Sequence, residues 1–273
     1  MLCLVSKQIK MREVLCMKRM VMLALALMLA LSSVAMAAPG KLESIAKDGV
    51  LKVGTTGDYK PMSYLDKTTG KYAGFDTELA AKLADALGVQ VQFVPTTWSN
   101  LTKDTMDKKF DVAICGITRT FARAKVMDMS QGYLKFGKTI LVRKSDAAKF
   151  KSVADLNKKG VRVMVNPGGT NEKFAKDNLP EATLLVHQQN AEIPGLIAEG
   201  KADVMITETM EARRYVKDNK KLAAPLVEKP FTKNNFGVLM AKGDQDFLNF
   251  VNMFMQELEF NGTMDKLEDK YIK

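Results

Sequence analysis

Residues 161–175 read VRVMVNPGGTNEKFA. The run from Val161 to Val165 is apolar and rich in β-branched side chains, the composition of a strand buried on both faces. Asn166-Pro167-Gly168-Gly169 then breaks it with four turn-forming residues. From Thr170 the pattern is helical, with Glu172 in the first turn, where a carboxylate complements the helix dipole. A strand that turns straight into a helix is half of a β-α-β unit. Its glycines let backbone approach a ligand closely. Thr170 and Asn171 would present side chains and free amides at a helix N-terminus, which favours an anion.

The same alternation runs outward in both directions. Strands are expected at 50–56, 89–94, 111–116, 139–143 and 202–207, and helices at 75–87, 152–159, 191–199, 246–259 and 264–272. Leu79, Leu83 and Leu87 recur at helical spacing and Gly88 closes that helix. Strands separated by helices predict an α/β fold with parallel sheets. The pattern restarts near Thr139, after the loop 130–138, and breaks again at 231–235. A chain that crosses over and returns would place 41–137 and 236–273 in one lobe and 138–235 in the other. Sites in such folds lie at the carboxyl ends of strands and between domains.

Residues 1–37 are expected to be a cleaved signal peptide. Met17-Lys18-Arg19 is a positive start, an apolar run follows from Met20, and Ala35-Met36-Ala37 offers small residues at a cleavage site. The run is shorter than the ~20 residues that span a bilayer. The leader holds five cations and one acid, so its loss takes the formal charge from +10 to +6. Those charges are scattered, without interleaved aromatics, and no nucleic-acid partner is expected. Cys3 and Cys16 leave with the leader, so Cys115 has no partner for a disulfide and reads as a buried, inert thiol.

The loops that follow the strands supply the candidate residues. In TTGDYKPMSY (55–64), Asp58 and Tyr59 either rim a cleft or belong to a polar turn stiffened by Pro61. Trp98, the single tryptophan, is either a cleft wall or a wedge between lobes. GITRTFAR (116–123) offers the Thr118 hydroxyl and two cations, Arg119 and Arg123, whose planar fork suits a carboxylate when it is not simply exposed. Glu172 has two readings: a first-turn acid that caps its helix, or a general acid if a dry cleft raises its pKa. Glu208, at the end of GKADVMITE (200–208), could hold a ligand ammonium or be a solvated strand end.

Other chemistries lack their residues. A lone His187 and a lone Cys115 cannot build a zinc site, and no metal is expected. There is no Gly-x-Ser-x-Gly elbow and no phosphate-binding P-loop.

The segments VLKVGTTGDYKPMSY, GFDTELAAKLADALG, DVAICGITRTFAR, GGTNE and GKADVMITE together resemble the extracellular solute-binding proteins of family 3, the capture components of polar amino-acid ABC importers. The likeness runs from about Leu42 to Ile272. It implies a type II periplasmic-binding-protein fold of two lobes joined by two hinge crossovers, a periplasmic location, a monomer, no cofactor, and a membrane permease as partner. It further implies that Asp58, Tyr59 and Trp98 line one wall and that Thr118 and Arg123 bind a ligand carboxylate. Gly169 and Thr170 would bind it from the second lobe, with Asn171 and Arg119 nearby. Glu208 stands where the family usually has an Asp for the α-amino group. Met62 replaces a usual aromatic and Arg119 a frequent apolar residue, departures that favour an anionic over an ordinary amino-acid ligand. A narrower resemblance, through TTGDYKPMSY, VPTTWSNL and NPGGTNEKFA, is to the periplasmic cyclohexadienyl dehydratase branch of the same fold. There Glu172 would be the general acid acting on prephenate or arogenate. A sensor domain paired with a separate membrane protein is a third class of function, although nothing in the chain encodes a kinase or cyclase.

Overall fold

The computed structural model describes residue 11, residues 17–22 and residues 40–273. The expected leader falls largely outside the described residues; those at 17–22 are helical. Gly40–Lys273 forms a compact unit.

Two five-stranded sheets organise it. In the first, the order is Gln90–Pro95, Val50–Thr55, Val112–Ala113, Leu239–Ala241, Met127–Met129. The first three are parallel, Leu239–Ala241 runs antiparallel to both its neighbours, and Met127–Met129 at the edge therefore runs in the direction of the first three. In the second, the order is Thr183–Val186, Arg162–Val165, Val204–Glu208, Lys138–Arg143, Leu222–Ala223. Again three strands are parallel, while Lys138–Arg143 runs antiparallel to both its neighbours. The sheets are therefore mixed where parallel ones were expected, because each receives a strand from a chain that has just crossed over or returned.

Side-chain alternation explains why these runs are apolar throughout. Along Lys138–Arg143, Ile140 and Val142 join one core with Val163, Val165, Val204 and Ile206. Leu141 joins another, with Met164, Met205, Ile193 and Ile197. A strand covered by helices on both faces needs an apolar residue at every position. The first sheet repeats this. Leu51, Val53, Val112 and Ile114 pack against Leu79, Leu83, Val251 and Met255, and Ala113, Cys115 and Ile117 pack against Leu101 and Phe110 on the other side. Cys115 is fully buried and its thiol is pushed up to about 12 by desolvation, an inert core residue.

Between the sheets the chain passes twice. Leu134–Phe136 pairs antiparallel with Asn234–Phe236, and the rings of Phe136 and Phe236 stack at 3.9 Å. The sequence reads both segments as loops, since three residues are too few to show a period. This is the two-lobed, doubly crossed architecture expected from the sequence.

Candidate ligand cleft

The strands Val50–Thr55, Val112–Ala113, Arg162–Val165 and Val204–Glu208 all point their carboxyl ends at one seam. Tyr59, Trp98, Gly116 and Thr118 face it from the first sheet, and Asn166, Gly169, Thr170, Asn171, Asn190 and Glu208 from the second. The opposed walls touch. The Tyr59 hydroxyl donates to Glu208 Oε2 at 2.8 Å, the hydroxyls of Thr118 and Thr170 lie 3.3 Å apart, and Asn190 Nδ2 donates to the Asp58 carbonyl at 3.3 Å. The cavity left between them is about 20 Å³, room for a water-sized group. That volume is too small to hold a metabolite of several non-hydrogen atoms.

Two glycines allow close packing at the seam, Gly116 within the first wall and Gly168 between the walls. Gly116 has φ +72°, and a Cβ there would overlap the Tyr59 ring at 2.2 Å. Gly168, with φ +79°, comes so near the opposite wall that a Cβ would sit 2.5 Å from Ser99 Cα. Both positions need a residue that accepts positive φ and has no side chain.

Of the residues singled out from sequence, seven line the cleft: Tyr59, Trp98, Thr118, Gly169, Thr170, Asn171 and Glu208. Trp98 is half-buried; its indole N–H donates to Asp58 Oδ1 at 3.0 Å and its ring meets Tyr59 edge-on at 5.7 Å. Asp58 itself faces a neighbouring, wider opening lined by Lys60, Tyr64, Tyr72, Gln189 and Tyr215. Burial raises its pKa, opposed by the bonds from Thr56 and Trp98. Arg123 is half-buried and turned back, with one guanidinium nitrogen donating to the Thr118 carbonyl at 2.7 Å. It borders an adjoining groove with Thr120, Gly168, Glu172 and Lys176. Burial lowers its pKa. Arg119 is exposed and its stem packs over Gly237, away from the cleft.

Glu172 takes the capping role of its two readings. Its Oε2 accepts from the Gly168 amide at 2.7 Å and its Oε1 pairs with Lys176 at 2.7 Å. The Lys176 bond, then the Gly168 amide, hold the carboxyl below its ordinary pKa. In this conformation it is an ionised group that fixes the turn.

Sequence reading misses the residue that most alters the site, Lys138. Its side chain is 4% exposed and its ammonium donates to Thr170 Oγ1 at 2.7 Å, to Asn171 Oδ1 at 2.6 Å and to Glu208 Oε1. Asn171 Nδ2 returns a bond to Glu208 Oε2 at 3.2 Å. Lys138 and Glu208 are register partners at the ends of antiparallel strands. That pairing is invisible until the strand order is known. Burial lowers the Lys138 pKa against the pull of Glu208. Asn190 is missed too, because the strand before it, Thr183–Val186, is only four residues long and too short to stand out. Asn190 Nδ2 donates to Glu211 Oε1 at 2.7 Å, and Glu211 also accepts from Thr207. Glu211 is fully buried, and desolvation pushes its pKa well up, aided by the charge of Glu208.

Known proteins agree with this architecture. Residues 51–273 match the family of bacterial extracellular solute-binding proteins, family 3. A cyclohexadienyl dehydratase of Pseudomonas aeruginosa is 38% identical over 251 residues, covering 92% of this chain and 93% of its own. The crystal structure of an ancestral amino acid-binding protein, described as a precursor of cyclohexadienyl dehydratase, is 42% identical with a TM-score of 0.80, over 85% of this chain and 99% of that one. That of an ancestral cyclohexadienyl dehydratase is 52% identical with a TM-score of 0.54, over 86% and 98%. The chain belongs to the bacterial extracellular solute-binding proteins, family 3.

Proposed function

We propose that this chain is the periplasmic capture component of an ABC importer for an amino acid or related small carboxylate, working by closure of two lobes. The observation that carries the reading is the set of polar contacts that join the lobes across the cleft, Tyr59 to Glu208 and Thr118 to Thr170. Residues 41–137 with 236–273 would move as one lobe and 138–235 as the other, about the paired segments Leu134–Phe136 and Asn234–Phe236. Residues 1–37 would direct export. A ligand that touches both walls stabilises the closed form, which then docks on a permease. Thr118, Gly169, Thr170 and Asn171 would receive the carboxylate, with Arg123 swinging in from the Thr118 carbonyl as its cation. Removing the partner permease tests the transport role: uptake should fail, whereas it would persist if the chain served a sensor.

A second reading, cyclohexadienyl dehydratase, is favoured by one observation, the likeness to dehydratases at 38% and 52% identity together with the segment NPGGTNEKFA. Glu172 would give its proton to the departing ring hydroxyl of prephenate while the ring carboxylate leaves as carbon dioxide. The electrons of the broken carbon–carbon bond complete the aromatic ring. Water and phenylpyruvate result, without a cofactor. This requires Glu172 to lose Lys176 and gain a proton when substrate is bound. Incubation with prephenate, beside Glu172→Gln, separates the readings: turnover lost in the variant makes the chain a dehydratase, and none above the spontaneous rate leaves it a binding protein.

A further inference from the structure

Glu208 stands where a carboxylate would greet the ammonium of an amino acid, yet three donors already occupy most of its roughly four lone-pair sites. Oε1 accepts from Lys138, and Oε2 from Tyr59 and Asn171. All three N–H groups of Lys138 are used as well, on Thr170, Asn171 and Glu208. Both side chains are about 95% buried. Among the described residues Lys138 pairs with no other carboxylate. A ligand ammonium brought to Glu208 would compete with the Lys138 side-chain charge already held there, two residues past the strand Leu134–Phe136, and would face that charge at short range in a medium that screens poorly. A ligand carboxylate meets the opposite situation, with an ammonium just behind Thr170 and Asn171 and a helix N-terminus beside it.

We infer that Lys138 occupies the ammonium subsite of the cleft, so that the protein selects carboxylates with no α-ammonium, keto or hydroxy acids, over α-amino acids. The inference rests on the reading of this cleft as a carboxylate site and narrows its ligand class.

Isothermal titration of the purified chain with matched probes tests it: phenylpyruvate against L-phenylalanine, and 2-oxoglutarate against L-glutamate. The keto member of whichever pair fits the cleft should bind at least about tenfold more tightly. Lys138→Met, which frees Glu208, should move the keto-to-amino ratio toward the amino acid. Glu208→Gln, which leaves the lysine unpaired, should move it further toward the keto acid. A purely structural pair would weaken both members alike and leave the ratio fixed in both variants, which overturns the inference. So does a wild-type preference for the amino member, although the proposed function then stands. Binding of no carboxylate at all would sink both. If Lys138→Met does not fold, Glu208→Gln still decides by its direction, with Lys138→Arg expected to keep the wild-type ratio.

Discussion

Asp76 shows how a single buried group links the cleft to pH. It lies in the first turn of the helix Phe75–Ala86, fully buried, accepting from the Tyr133 hydroxyl at 2.8 Å and from the Gly116 amide. Burial raises its pKa to about 7, against the pull of those two donors. The folded state therefore keeps a proton that the unfolded chain has released, and stability falls as pH rises between about 4 and about 7. The slope attributable to this group is roughly 1.4 kcal/mol per pH unit. Denaturant melts of Asp76→Asn should be flatter over that window; an unchanged slope would mean that Asp76 is ionised when folded. At Lys138, Lys138→Ala should cost about 3–5 kcal/mol because it strands the buried Glu208 carboxylate. Lys138→Met combined with Glu208→Gln should recover most of that loss in the same melts. Arg123→Ala should weaken carboxylate binding by about 2–5 kcal/mol through loss of a charge-assisted pair, read by calorimetry. Unaltered affinity would remove Arg123 from the site.

At the scale of elements, the turn 166–169 and the helix Thr170–Asn178 carry the most. Glu172 pins Gly168 by its amide, and Gly168 in turn lets the turn press on Ser99. Gly168→Ala adds a Cβ against backbone and asks alanine to take positive φ, which costs roughly 1–2 kcal/mol before any clash. The lobes should then stop short of closure. Ligand affinity should drop about tenfold or more, and the ligand-induced decrease in radius of gyration by small-angle scattering should disappear. A wild-type decrease in the variant would mean that Ser99 yields. This turn is legible in the sequence because its chemistry is local: a β-branched run, turn-formers, an acid in the first turn. Long buried strands and the helix Phe75–Ala86 are legible for the same reason. The helices Leu101–Met106 and Phe121–Val126 are not, since six residues give less than two turns of periodicity. Nor are the two- and three-residue strands that complete each sheet, because tertiary pairing rather than local propensity creates them.

For the whole molecule, the sites of meaning lie where distant segments meet. Tyr59 and Glu208 are 149 residues apart, Asp58 and Asn190 are 132. Sequence reading places Tyr59, Thr118, Thr170 and Glu208 at strand ends and so at the seam. It cannot say that Lys138 neutralises Glu208, that Arg123 turns away, or that Arg119 lies outside, for each depends on strand order and lobe closure. On the proposed function, the narrow seam, about 20 Å³, makes binding and lobe motion one event, with ligand contributing the contacts that hold the walls together. The most direct measurement is thermal melting of the purified chain against a panel of small carboxylates and, as controls, sugars and amines. A carboxylate at a hundred times its Kd should add about 2.7 kcal/mol, a rise of roughly 5–10 °C for a chain of this size, with no response to the controls. Melting unmoved by every carboxylate, or moved by an amine or sugar instead, would contradict the account.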